Sequence, residues 1–375
     1  MKITFPRMGT MHVGLKCLLQ RLGNEVIVPG RVTADTIDLG AKHAPETACF
    51  PLKINLGNYL EILDEHPDID AILMAGGVGP CRFGYYYRTQ QDIMEDLGYT
   101  GLDWVVLEPP RGNLHQVLDG LSNLNQGRSK LEILQAMRLA WKKMIVLDDI
   151  LSIANKMRPY EAKRGDTSKV FRRAVSEIDA ADSIREVESV SNEIKQKMHS
   201  LKDKDQEIEN IKVALVGEIY VNMEPGANMH VEEALGHLGA EAQRTIMITD
   251  WAKDNILLDF LRWDSRGKDR KEAARPYLEH FVGGEGQASI GSAALLADDV
   301  DGIIHLMPFT CMPEIVAQTI MPEVSDDFDL PVLTLVLDEH SGRAGMVTRL
   351  EAFVDLLRRR KRMQEQPAEQ PEVVS

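Results

Sequence analysis

Three of the four cysteines in this 375-residue chain share a local context. Cys49 lies in "ACFPLK", Cys81 in "GPCRFG" and Cys311 in "FTCMPE", each with a proline within two residues. Proline fits the first turn of a helix and is excluded from its interior, so each cysteine is expected at a loop-to-helix junction. Cys81 and Cys311 also follow the apolar runs "AILMAGG" and "GIIHLMPF". Those runs read as buried strands, and open α/β sheets carry their ligand sites at the carboxyl ends of such strands. A helix start adds free N–H groups and partial positive charge, which stabilise a thiolate or an anionic cluster. Cys17 differs: helical spacing in "VGLKCLLQRL" groups it with Val13 and Leu18, the pattern of a small buried hydrophobe.

Three thiols gathered in one cleft can serve several chemistries. They are 32 and 230 residues apart, without the close pair common in structural zinc sites. Zinc would need a fourth ligand, for which His12, His305 and His340 are candidates. An iron-sulfur cluster tolerates wide spacing, and a cubane on three cysteines keeps one iron open to a substrate or water. Unligated thiols are the third possibility, and spacing alone leaves all three standing. Lys53 and Arg82 lie within about a turn of cysteine-bearing helix starts, where at least one is expected to face the cleft. Other motifs are weaker. "GGVGPC" puts Arg82 where a dinucleotide loop needs its third glycine, "GGEGQASIG" (283–291) reads as a turn before a helix, and "DEHSGRAG" (338–345) reads as capping and solvated charge. No nucleophile elbow is visible.

The elements that must position these residues alternate. "KITFP", "NEVIVPG", "DAILMAGG" and "DWVVLEPP" read as short strands separated by helical patterns, which predicts a parallel sheet over 1–127. Residues 128–210 read as a charged helical bridge, interrupted at Pro159 and Gly165. Strand signals return with "IKVALVGEIYVN", "EAQRTIMITD", "DGIIHLMPF" and "PVLTLVLDE", a second α/β unit over 211–361. The Pro, Gln and Glu of 362–375 predict a disordered tail. The expected fold is therefore α/β: two parallel-sheet units of flavodoxin type, a helical insertion, and a site in the cleft between them.

Composition narrows the function classes. A formal net charge of −15 argues against nucleic acid or an anionic membrane as partner. The exception, "RRRKR" at 358–362, ends a helix, where cations complement the macrodipole. No apolar stretch approaches the roughly 20 residues of a membrane span and "MKITFPRMGT" has no signal-peptide core, so a cytoplasmic protein is expected.

"CFPLKINLGNYLE", "MAGGVGPCRFGYY", "LMPFTCMPEIVAQ" and "DEHSGRAGMVTRLEAFVD" together resemble the stand-alone proteins related to 2-hydroxyacyl-CoA dehydratase subunits, often called CoA protein activase or acyl-CoA dehydratase activase-related. The resemblance covers both α/β units and implies an oxygen-sensitive 4Fe-4S cubane held by Cys49, Cys81 and Cys311. It implies an ATP-hydrolysing iron-sulfur activase as electron donor, radical removal of water from a 2-hydroxyacyl-CoA or a related low-potential reduction, and a second dehydratase-like subunit. Four cysteines are too few for the double cubane of related proteins. The chain shows no actin-like phosphate motifs of its own, so it resembles the cluster-bearing component rather than the ATPase. The alternatives are a non-catalytic electron relay or cluster-assembly partner, and a zinc-stabilised binding protein.

Overall fold

The computed structural model describes residues 1–77, 79–107, 123–203, 209–252 and 266–365. Its first half runs β1 (Lys2–Thr4), α1 (Met11–Arg21), β2 (Glu25–Val26), α2 (Ala34–His43), α3 (Phe50–Glu65), β3 (Ala71–Ala75), α4 (Tyr86–Asp96) and β4 (Asp103–Leu107). The strands form one parallel sheet in the order β2-β1-β3-β4, with Ile3 beside Ala71 and Ala71 beside Asp103. Central β3, "AILMA", is buried at its first four positions, as a strand covered by helices on both faces must be.

The helical bridge follows as α5 (Lys130–Met157), α6 (Asp166–Ala180) and α7 (Ile184–His199). A reciprocal Ser129–Glu132 capping box starts α5. The two interruptions fall where the sequence puts them: Pro159 sits in a 3-10 turn, Arg158–Tyr160, that ends α5, and Gly165, at φ 90°, opens α6. The bridge packs on α1, where Val13 and Cys17 join Leu139, Leu147 and Ile150 in one apolar cluster. Cys17 is thus the buried hydrophobe its spacing describes.

The second half contains β5 (Ile211–Gly217), α8 (Ile219–Met223), α9 (Val231–His237), β6 (Ala240–Arg244), α10 (Ile248–Ala252), α11 (Arg266–Ala274), α12 (Gly286–Leu296), β7 (Gly302–Pro308), α13 (Met312–Asp327), β8 (Val332–Leu337) and α14 (Arg343–Glu365). Its sheet is again parallel, ordered β6-β5-β7-β8, the same arrangement as the first. The fold is α/β, with two parallel sheets of flavodoxin-type order.

Two boundaries differ from the sequence reading. "IKVALVGEIYVN" is not one strand: Gly217 at φ 126° ends β5, a Cβ there would overlap the Leu306 carbonyl oxygen, and Glu218 caps a helix instead. At the far end α14 runs to Glu365 rather than giving way at residue 362. Its basic run is held by contacts such as Arg358 to the Leu238 carbonyl and Arg360 to Asp329. Residues 366–375, which carry most of the expected tail, lie outside the described residues.

Helix α3 joins the halves. Every residue from Phe50 to Leu60 is buried. Phe50 and Ile54 belong to the same apolar cluster as Val213, Tyr220 and Leu306 of the second half, while Leu56, Tyr59 and Leu63 pack beneath the first sheet. Among the described residues no helix is long and apolar enough to cross a membrane.

Candidate functional site

Each of the three cysteines is the N-cap residue of a helix: Cys49 of α3, Cys81 of the 3-10 turn Arg82–Tyr85, and Cys311 of α13. Pro51 and Pro313 occupy the first turns of α3 and α13, as their spacing from the cysteines implies. Cys81 and Cys311 stand past the carboxyl ends of the central strands β3 and β7. Cys49 lies within electrostatic reach of both Cys81 and Cys311, so two thiols of one half and one of the other share a neighbourhood. Cys49 and Cys311 are buried and Cys81 is half-buried. Burial pushes all three thiols up, Cys49 to about 11, and nearby Glu218 adds to the shift in each case. Backbone N–H groups of Phe83 and Glu314 oppose it at Cys81 and Cys311, the local form of the helix-start effect. Cys49 also exchanges a hydrogen bond with the buried Tyr86 hydroxyl.

Glu218 is the group that sequence reasoning missed. It directly follows β5, caps α8 by accepting from the Val221 N–H at 3.0 Å, and interacts electrostatically with all three thiols. Burial raises its carboxyl to about 7, with Glu314 and Glu285 contributing further. It can therefore hold or release a proton near neutrality inside the cleft. The available signal was its position alone, a carboxylate at the carboxyl end of a strand that is apolar from Val213 onward.

The two cations near the cysteines have different duties. Lys53, one turn into α3 and buried, donates to Glu339 Oε1 at 2.5 Å and so ties the halves together. Arg82 is exposed and lowers the pKa of both Cys49 and Cys81. Its guanidinium donates to the Thr47 carbonyl at 2.7 Å and the Thr310 carbonyl at 2.5 Å.

The weaker motifs resolve by contact. Gly283 and Gly284 have positive φ, and their turn lies so close to Cys81 that a Cβ on Gly283 would stand 2.7 Å from its backbone nitrogen. The glycine-rich turn therefore lines the cleft. In "DEHSGRAG", Asp338 accepts from the His340 N–H and the Ser341 hydroxyl, a turn-stabilising role, and Glu339 pairs with Lys53.

Two of the histidine candidates for a fourth ligand have other partners, and the third is exposed. His305 is fully buried, with Nε2 2.8 Å from Glu314 Oε2, which also accepts from Ser289 at 3.0 Å. His12 Nδ1 faces the Gly9 carbonyl at 2.9 Å, and His340 is exposed. Among the described residues no three His, Cys, Asp or Glu side chains converge as they would around a single metal ion. A tetrahedral zinc site would set its sulfurs about 3.8 Å apart, given Zn–S bonds of about 2.3 Å. Three thiols thus stand at three helix starts, with the Arg82 guanidinium and the buried Glu218 carboxylate beside them. Large apolar side chains adjoin the site: Tyr85 follows Cys81, Phe281 approaches Gly79, and Phe309, Met312 and Ile315 surround Cys311 in sequence, all exposed.

No family model matches the chain, and no curated protein is significantly similar to it.

Proposed function

We propose that Cys49, Cys81 and Cys311 hold one 4Fe-4S cluster in the cleft, and that the chain is the cluster-bearing component of an ATP-activated reduction or radical dehydration of an acyl-CoA-type substrate. One observation carries the reading: three cysteines distant in sequence, drawn from both halves, each cap a helix start, with Cys49 within electrostatic reach of the other two. The four motifs that resemble 2-hydroxyacyl-CoA dehydratase-related proteins support it. When bound, the cluster supplies low-potential electrons and one iron open to an external oxygen or sulfur ligand. The helix-start N–H groups and Arg82 favour anionic sulfur there, Tyr86 orients Cys49, and Glu218 holds or moves a proton at its carboxyl oxygens. An ATP-hydrolysing iron-sulfur activase, with a second dehydratase-like subunit, supplies the electron.

Anaerobic reconstitution with iron and sulfide tests the first half of this reading. About four irons per chain are expected, as one cubane needs. Zinc at one per chain without iron overturns it in favour of a zinc-stabilised binding protein. Adding a 2-hydroxyacyl-CoA to the loaded protein tests the second half through a changed electron paramagnetic resonance signal. The exposed apolar side chains beside Cys81 and Cys311 favour a second reading, an electron relay docking on other proteins. A loaded cluster indifferent to every acyl-CoA, yet reoxidised by a protein acceptor, selects the relay.

A further inference from the structure

The three cysteine loops have no continuous element in common. Cys49 and Cys81 end separate loops of the first half, and Cys311 comes from the second. Something must fix their mutual spacing, and one side chain touches all three loops. Arg82 is bonded covalently to Cys81. Its Nη1 donates to the carbonyl of Thr47, two residues before Cys49, at 2.7 Å, and its Nη2 to the carbonyl of Thr310, directly before Cys311, at 2.5 Å.

The second contact falls on a strained residue. Thr310 has φ 63°, a left-handed conformation that strains a β-branched residue. Its hydroxyl is buried without a partner, so its own side chain gives no local stabilisation. Such a turn persists when its surroundings over-determine it, and the Arg82 bond to its carbonyl is one such constraint. A planar guanidinium presents paired donors in a fixed fork and can bridge two carbonyls at a set angle; a lysine ammonium cannot reproduce that geometry.

We propose that Arg82 is a positioning residue, a clasp that holds the Thr47 and Thr310 turns together and so sets the spacing and shielding of Cys49, Cys81 and Cys311. This rests on reading the three thiols as one site and not on the identity of the group they hold. It also accounts for an exposed arginine that forms none of the ion pairs found among the described residues, having main-chain carbonyls as its partners.

The test uses the full-length, metal-free, reduced protein. Alkylation by iodoacetamide is followed cysteine by cysteine by peptide mass spectrometry, in wild type, Arg82→Lys and Arg82→Ala. Opening the clasp should speed alkylation of the buried Cys49 and Cys311 at least tenfold in both variants. Cys17, buried in the separate α1–bridge cluster, serves as the internal control and should keep its wild-type rate. Ethylguanidinium added to Arg82→Ala should restore slow alkylation, whereas ethylammonium should not, a distinction that general loosening would not produce. Unchanged rates at Cys49 and Cys311 overturn the proposal, and so does an equal rise at Cys17. Because no metal is present, failure here is separable from failure of wild type to take up iron, which bears on the cluster alone.

Discussion

The two halves build the same sheet and bring different chemistry to their shared cleft. The first half contributes two thiols and the cations Lys53 and Arg82; the second contributes one thiol and the carboxylates Glu218, Glu314 and Glu339. Equal strand order therefore does not mean equal role. Opposite charge and divided ligands make the site a property of the junction, so neither sheet's loops alone define it. In the first half the loops after β1 and β3 are steadied by contacts reaching across, such as the Gly9 N–H to Glu224 Oε2 at 2.9 Å. In the second, Glu314 finds its partners within its own half, His305 and Ser289 both meeting its Oε2, while its Oε1 is buried without a partner.

The sharpest way to break this comparison is to remove thiols from either side. Cys49→Ser, Cys81→Ser and Cys311→Ser should each lower reconstituted iron from about four per chain to near zero, irrespective of the half mutated. Full iron content in Cys311→Ser would make the first half sufficient and sink the shared-site account. Next in size is the inter-half ion pair. Glu339→Gln leaves the buried Lys53 ammonium uncompensated and should cost about 3 kcal/mol in urea denaturation. Lys53→Met leaves only Glu339, which water reaches more easily, and should cost about 1 kcal/mol. Equal costs would mean the pair is not the desolvated contact described.

A smaller effect separates the halves by pH. Burial, reinforced by neighbouring Arg7, pushes His12 down to about 4 from its ordinary 6.5. The unfolded chain then binds a proton between those values that the folded chain refuses, so this residue's contribution is intact above pH 6.5 and is lost as pH falls toward 4. His12→Gln should flatten the wild-type loss of stability in that window. The reverse difference, a steeper loss in the variant, would show that His12 is protonated in the fold. Smallest is Cys17→Ser, which places a hydroxyl in the α1–bridge cluster: about 1 kcal/mol less stable by thermal denaturation, with iron uptake unchanged.

Much of this was legible in the sequence because strands buried on both faces announce themselves as apolar runs, and proline near cysteine marks a helix start. The residues that gave no warning depend on tertiary contact. Glu218 follows a strand with no accompanying motif, and its link to the thiols exists only once β5 and β7 lie side by side. Lys53 and Arg82 read as two charges of which at least one would face the cleft; that the partners of Arg82 are two main-chain carbonyls is something no sequence pattern encodes. His305 looked like a spare ligand because a histidine inside an apolar strand is ambiguous until Glu314 is found beside it. The strand reading of "EIYVN" failed for a local reason: the positive φ of Gly217 turns the chain.

Helix α3, buried from Phe50 to Leu60, also sets a timetable. Its Phe50 and Ile54 complete their packing against strands that begin at Ile211 and extend past residue 300. At synthesis rates of about 5–20 residues per second, the 230 residues from Cys81 to Cys311 take roughly 12–46 s to appear. Throughout that interval two thiols wait on a nascent chain whose closing wall has not been made. A group that bridged all three thiols would find its site complete only once residue 311 has been made, and until the second half is made the apolar flank of α3 is uncovered.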